Sequence, residues 1–265
     1  MANSEPDYSN IELPRAAVSL PIDGGPISRP DPALYKQLEE VSSATASAMM
    51  HRLGVRQTFI EGPLPRKPGT KIVGPAVTLS FMPQREDVFS GKAQEGAEKR
   101  SALWAVFDTV EPGDVLCVQA FGNRYTGCLG EMLATYFKGR GGSGIVVDGC
   151  VRDWPQIQKI DVGLWTVGFT PNYASQAQLA PWAYNVPVTL NNVLVLPGDV
   201  IIADDDGAVV IPQQMIPLVL EHTLAHEEWE VFSRIKLAEG GALSKYYPLN
   251  DEGWAEYEAW KKSNE

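Results

Sequence analysis

The chain has 265 residues, 44% of them hydrophobic and 21% charged, the balance of a globular protein rather than of a disordered chain or a fibre. Twenty-two basic against 33 acidic residues leave a net charge of −11, which repels phosphate backbones and speaks against nucleic acid as a partner. No apolar run reaches the ~18 residues of a membrane span, no basic segment precedes an apolar one at the N-terminus, and Cys117, Cys128 and Cys150 lie too far apart for CxxC motifs, so the expectation is a cytoplasmic protein with reduced thiols and no disulfide scaffold, zinc finger or membrane partner.

Residues 1–31 are rich in Pro, Ser, Gly and Asp without periodicity, and read as an extended arm that orders only by lying on another surface. From Pro32 the pattern turns helical. Leu34, Leu38 and Val41 share a face, and Ser47, Met50 and Leu53 continue into a second helix stopped by Gly54. Strand language begins at Lys71, where Ile72, Val73, Val77 and Leu79 stand among small residues, and residues 94–110 read as an amphipathic helix. EPGDVLCV (111–118) is a Pro-Gly-Asp turn opening into a buried strand. LPGDVIIADDDGAVV (196–210) uses the same device and adds a hairpin turn at 205–207. Between them come a helix near 131–138, a glycine loop (139–144), a buried strand (145–148) and a short helical piece (154–160). A helix from Met215 to about Ala238 leads to a tail, 241–265, bearing Trp254, Tyr257 and Trp260. These elements show no regular βαβ alternation, which favours one compact α/β layer domain over 32–240 rather than a doubly wound sheet.

The chemistry concentrates in residues 127–153, GCLGEMLATYFKGRGGSGIVVDGCVRD. Gly130-Glu131 opens a helix, and the free N–H groups of Glu131, Met132 and Leu133 attract an anionic group such as a carboxylate. The strand that follows delivers Arg152-Asp153 just beyond its end, where α/β proteins place ligands. Arginine holds a carboxylate through two parallel hydrogen bonds, and aspartate holds a hard divalent cation. Glu131, Arg152, Asp153 and the helix end thus form a candidate site for a metal-bound 2-oxo acid. The simpler reading is a solvated ion pair and an acid that merely favours its helix end.

DGCVRD preceded by GEML and a glycine loop resembles the family that contains 4-hydroxy-4-methyl-2-oxoglutarate aldolase and the RraA-type regulators of ribonuclease E. IVGPAVT, EPGD, VGFTP and PGDVIIADDDGAVVIP extend the resemblance over roughly residues 41–239. It implies a layered α/β fold, described as a swivelling β/β/α domain, in a homotrimer or homohexamer with sites between subunits. It also implies that Asp153 binds Mg²⁺ or Mn²⁺, that Glu131 holds metal-bound water, and that the amides of Met132 and Leu133 hold the pyruvyl group. Arg152 then binds substrate and helps the proton transfer. A glutamate of a neighbouring subunit, one of Glu227, Glu228 and Glu230 in HEEWE, completes the metal's outer shell; an exposed acidic helix face is the alternative for that cluster. Family members often carry an aspartate in an early helix, where Ala48-Met49-Met50 stands here.

Cleaving the C–C bond beside a 2-oxo acid leaves an enolate, which needs a Schiff-base lysine or a divalent metal. No lysine lies inside a clearly buried strand, Lys71 only opening one, so the metal route is favoured, with Arg152 adding positive charge. The expected activity is a divalent-metal-dependent lyase that cleaves a 4-hydroxy-2-oxo acid to pyruvate and a second carbonyl compound and decarboxylates oxaloacetate. The alternatives are a non-catalytic regulator that binds a ribonuclease through an acidic surface, or a related lyase or hydratase on another hydroxy acid. The regulators generally lack the metal aspartate after the arginine, which is present here. Elsewhere, Asp204, Asp205 and Asp206 read as a polar hairpin turn, His222 and His226 as surface histidines, His51 as a packed helix residue and Cys150 as a buried filler. Trp254, Tyr257 and Trp260 are expected to pack against a subunit.

Overall fold

The computed structural model describes residue 12 and residues 14–89, 99–175 and 178–264, apart from the side chains of Leu224, Ala225 and Glu227. The chain opens with β1 (Ile22–Asp23), α1 (Pro32–Tyr35), α2 (Ser43–Arg52), β2 (Phe59–Ile60) and β3 (Leu64–Pro65). Next come β4 (Ile72–Pro83), α3 (Ala102–Asp108), β5 (Val115–Gly127), α4 (Glu131–Gly139), β6 (Gly144–Val151), α5 (Trp154–Ile157) and β7 (Gly163–Phe169). After β8 (Leu179–Tyr184) follow two hairpins, β9 (Val188–Leu190) with β10 (Val193–Val195) and β11 (Val200–Asp204) with β12 (Gly207–Ile211). The chain closes with α6 (Ile216–Ala238), α7 (Leu243–Tyr246) and α8 (Asp251–Asn264).

The middle of the chain does alternate regularly, against the expectation from the sequence. Strands β4, β5, β6 and β7 are neighbours in that order, each pair parallel, and a helix crosses over between each pair. The crossover helices hide the pattern because they are short. Helix α5 has four residues and α3 only seven, too few for a 3.6-residue period to repeat. Ser101 starts α3 by accepting a hydrogen bond from the Leu103 amide, so the helix begins well inside the expected 94–110. Residues 94–98 lie outside the described residues.

The first half of β4 continues into an antiparallel set, β4–β11–β12–β2. Side chains of alternate residues then sort into separate layers, as a pleated strand requires. On β6, Ile145, Val147 and Val151 face the helices α3, α4 and α5, whereas Val146 joins a core with Val115, Trp165, Ile201 and the β9–β10 hairpin. On β11 and β12, Val200, Ile202, Val209 and Ile211 turn outward to α1, α2 and α6. All eight residues of β6 are buried, and each large aliphatic side chain there stabilises the fold by about 1.5–3 kcal/mol. Strand β6 is thus a rigid central rail that points its C-terminal end at the candidate site.

The two Pro-Gly-Asp turns are one local structure used twice. Asp114 accepts from the Glu111 amide at 2.7 Å, and Asp199 accepts from the Leu196 amide at 2.9 Å. The described part of the N-terminal arm lies on its own chain: β1 pairs with β8, and Arg29 reaches Asp114. The tail likewise packs at home. Tyr257 and Trp260 meet Phe232 of α6 with ring centroids 5.8 and 5.6 Å apart, and Trp254 meets Trp229 at 6.0 Å, so the aromatics expected against a subunit close a core of the chain itself. Of the aspartates at 204–206, Asp204 accepts from the Asp206 amide within the hairpin turn. Asp204 also accepts from Ser43 of α2, and Asp205 from the Gly69 amide.

Candidate active site

Where β6 ends, the backbone turns sharply. Asp153 takes a left-handed conformation (φ 61°, ψ 32°), which aspartate and asparagine tolerate better than other side chains do, and stands as N-cap of α5. The preceding loop is held beside the strand end: the Cys128 amide donates to the Cys150 carbonyl and the Arg152 amide to the Leu129 carbonyl. Two glycines of that loop make the approach possible. A Cβ at Gly127 would lie 3.1 Å from Arg152 Cβ, and one at Gly130 would lie 2.5 Å from Asp153 Oδ2. The closest neighbour of a Cβ at Gly127 would be the Asn172 carbonyl, at 2.4 Å, and of one at Gly130 the Asp153 carboxylate, which leaves no room for a side chain at either position.

Asp153 Oδ2 accepts from Arg152 Nε at 3.1 Å and from the Glu131 amide at 3.4 Å. The carboxylate thus sits at the amino end of α4, where the helix dipole and an unpaired N–H favour negative charge. The amides of Met132 and Leu133 have no hydrogen-bond partner among the described residues. Arg152 and Asp153 are each more than a third exposed, and beyond its Nε contact the guanidinium makes no hydrogen bond among the described residues. Glu131 accepts from Thr135 Oγ1 at 3.1 Å, turning back along its own helix.

A cavity of about 650 Å³ opens beside this pair. Arg152, Asp153, Gly130, Met132 and Leu133 line one part of it, and Leu103, Trp104, Phe107, Asp108, Tyr136 and Tyr173 line the rest. The sequence-predicted residues Arg152, Asp153, Met132 and Leu133 therefore meet at one cavity, with Glu131 adjacent to it but not on its wall. The acids of HEEWE lie elsewhere on the chain: Glu228 pairs with Lys261 at 2.7 Å and Glu230 with His226 at 3.0 Å. The side chain of Glu227 lies outside the described residues. The wall supplied by α3 was missed from sequence. Its signal is Trp104, exposed on a helix whose Leu103, Val106 and Phe107 are buried.

The donor chemistry decides which metal these residues suit. Among the described residues no three His, Cys, Asp or Glu side chains gather closely enough to cage a metal ion. One carboxylate at the rim of an open cavity instead suits a magnesium-type ion, which keeps most of its waters and is held by one or two carboxylates plus substrate oxygens. No lysine lines the cavity among the described residues, so none is placed there for a Schiff base. Cys150, two residues before Arg152, is buried, and desolvation pushes its thiol up, as suits a packing residue rather than a nucleophile.

The family described as RraA-like (Aldolase/RraA) matches residues 39–210. The chain belongs to the RraA-like family. The fold agrees: the chain is similar to Streptomyces coelicolor RraAS2, described as an unusual member of the RNase ES inhibitor RraA protein family, at 52% identity and a TM-score of 0.73, covering 79% of this chain and 99% of that one. An uncharacterized protein from Pseudomonas syringae pv. tomato shares the fold at 23% identity and a TM-score of 0.69, over 83% of this chain and 98% of that one. Protein DlpA of Legionella pneumophila is 28% identical over 220 residues, 81% of this chain, and the chain spans about a third (33%) of that relative's length. This RraA-like chain has, among its described residues, no helix long and apolar enough to cross a membrane.

Proposed function

We propose that the chain is a divalent-metal-dependent lyase that cleaves a 4-hydroxy-2-oxo acid to pyruvate and a second carbonyl compound, and that it decarboxylates oxaloacetate. The observation that carries this reading is the Arg152–Asp153 pair, set against the amino end of α4 at the wall of a cavity. Asp153 would hold the Mg²⁺ or Mn²⁺, Glu131 would support it through water, and one of Glu227, Glu228 or Glu230 of a neighbouring subunit in a trimer or hexamer would complete its surroundings. When bound, the ion supplies positive charge to the 2-oxo group as electrons move on to it.

Arg152 offers its terminal nitrogens to the substrate carboxylate, while its Nε stays on Asp153 and fixes the plane of the guanidinium. The amides of Met132 and Leu133 orient the same pyruvyl end, as first-turn helix amides do for anions. The bond between C3 and C4 breaks with its electron pair remaining on C3. The C4 hydroxyl loses its proton and becomes the carbonyl oxygen of the second product, and C3 gains a proton to become the methyl of pyruvate. Arg152 stands beside this exchange and assists the proton movement. The buried walls Leu103 and Phe107 keep bulk water from the carbanionic carbon.

Pyruvate release from oxaloacetate and from 4-hydroxy-4-methyl-2-oxoglutarate, with Mg²⁺ and then with EDTA, tests the reading. Metal-dependent release above the uncatalysed rate supports it; none from either substrate with folded, metal-loaded protein sinks it. The 52% identity to an RNase ES inhibitor-type protein supports a second reading, a regulator that binds a ribonuclease. Inhibition of a ribonuclease to the same extent by wild type and Asp153→Asn, without pyruvate release, would favour that reading.

A further inference from the structure

The cavity is chemically lopsided. Its charged end is Arg152 and Asp153, where β6 stops; the wall from α3 and the middle of α4 is Leu103, Trp104, Phe107 and Tyr136. Among the described residues Arg152 is the one cation on the wall, and the pyruvyl carboxylate engages it in the reading above. Arg140, which reaches α3, donates instead to the carbonyls of Asp108 and Val110. The single acid at the apolar end, Asp108, accepts from the Tyr136 hydroxyl at 3.0 Å, and that bond holds the phenol above its ordinary pKa. Among the described residues of this chain, a second substrate carboxylate would thus find an anion and aromatic faces there, and no positive partner for its charge.

We infer that the part of the substrate beyond C4 is neutral and apolar, of aryl size, so that the second product is an aromatic or bulky aliphatic aldehyde rather than an oxo acid. This rests on the lyase reading and narrows its substrate class. The aryl ring lies among Trp104, Phe107 and Tyr136, which offer edges and faces for aromatic packing. For 4-hydroxy-2-oxo-4-phenylbutanoate, the C3–C4 bond breaks with its electron pair staying on C3, the oxygen on C4 loses its proton and becomes the carbonyl oxygen of benzaldehyde, and C3 takes up a proton. No oxidant or co-reactant is needed.

The test compares kcat/KM for pyruvate release by the Mg²⁺-loaded full chain from 4-hydroxy-2-oxo-4-phenylbutanoate, from 4-hydroxy-4-methyl-2-oxoglutarate, and from oxaloacetate. The expected result is a preference of about tenfold or more for the phenyl compound over the dicarboxylate, the size of discrimination an apolar pocket provides. Equal rates or a preference for the dicarboxylate, with oxaloacetate still decarboxylated, overturn the inference and leave the lyase reading standing. A readout free of turnover accompanies this: quenching of tryptophan fluorescence by 2-oxo-4-phenylbutanoate and by 2-oxoglutarate, neither of which carries a 4-hydroxyl group to cleave. Tighter binding of the phenyl compound supports the apolar subsite even if no substrate is turned over; equal binding, or none, overturns it. Trp104→Ala is expected to lower the phenyl-to-dicarboxylate ratio about tenfold, and Trp104→Arg, which brings a cation to that wall, to reverse it. A ratio that neither variant moves overturns the assignment.

Discussion

Two arginine–aspartate pairs in this chain show how differently one chemistry is used. Arg29 reaches Asp114 with Nε and Nη2 at 2.9 and 2.7 Å, adds the Thr109 carbonyl at 2.8 Å, and stands 3.2 Å from Glu111. Asp114 is almost wholly buried, and it also accepts from the Glu111 amide. Arg152 touches Asp153 through Nε alone, both residues face a cavity, and the aspartate backbone is left-handed. The first pair has its hydrogen-bonding capacity used within the chain and fixes the N-terminal arm to the domain. The second keeps unused donors and acceptors beside open space, the condition for binding a ligand. Saturation, more than residue identity, separates a structural clamp from a site.

The largest expected break in this comparison is Asp153→Asn. Asparagine accepts the left-handed backbone and keeps the shape, so stability should move by no more than about 0.5 kcal/mol. Metal-dependent pyruvate release should fall at least about a hundredfold. Retained turnover would remove the Asp153 charge from the chemistry. Arg29→Met is the mirror experiment: it strands Asp114 in a buried setting and should cost about 3 kcal/mol in urea unfolding, with turnover per folded molecule unchanged. A loss of activity without loss of stability would show that the clamp communicates with the site.

The sequence foretold the second pair better than the first. DGCVRD, GEML and the glycines between them are local, so the helix end, the strand end and the arginine–aspartate turn follow from neighbouring residues. Arg29 and Asp114 are 85 positions apart, and nothing in a Pro- and Ser-rich arm announces which acid its arginine will find. The parallel series β4 to β7 was hidden for a related reason: its crossover helices are too short to show a period, and parallel pairing is wholly non-local. The apolar wall from α3 was also out of reach, because Trp104 and Arg152 line one cavity from elements 48 positions apart in sequence. The aromatic tail was expected against a subunit, but its partners, Trp229 and Phe232, belong to its own chain, 25 or more positions back in sequence.

A finer probe of the site is Gly130→Ala. Gly130 has φ −120°, which alanine adopts without strain, so the effect comes from the new Cβ pressing on Asp153 Oδ2. Opening that 2.5 Å approach displaces the oxygen by at least about 0.5 Å, which should lower kcat about tenfold while the unfolding midpoint stays near that of wild type. An unaffected kcat would mean that the carboxylate finds its working position without the glycine.

The smallest effect is a change with pH and concerns the clamp. Burial raises the Asp114 carboxyl above its ordinary 3.8, while Arg29 pulls the other way. In Arg29→Met that pull is gone, so the folded-state value climbs further. A carboxyl raised by folding favours the native state fully only below 3.8, where it is protonated both folded and unfolded; that contribution is lost as pH rises through its folded value. The variant loses more of it than wild type does. The stability gap between the two should therefore be narrowest near pH 4 and widen toward neutrality, by about 1.4 kcal/mol for each unit separating their folded Asp114 values. A gap of constant size from pH 4 to pH 8 would assign the role of Arg29 to the packing of its stem rather than to its charge.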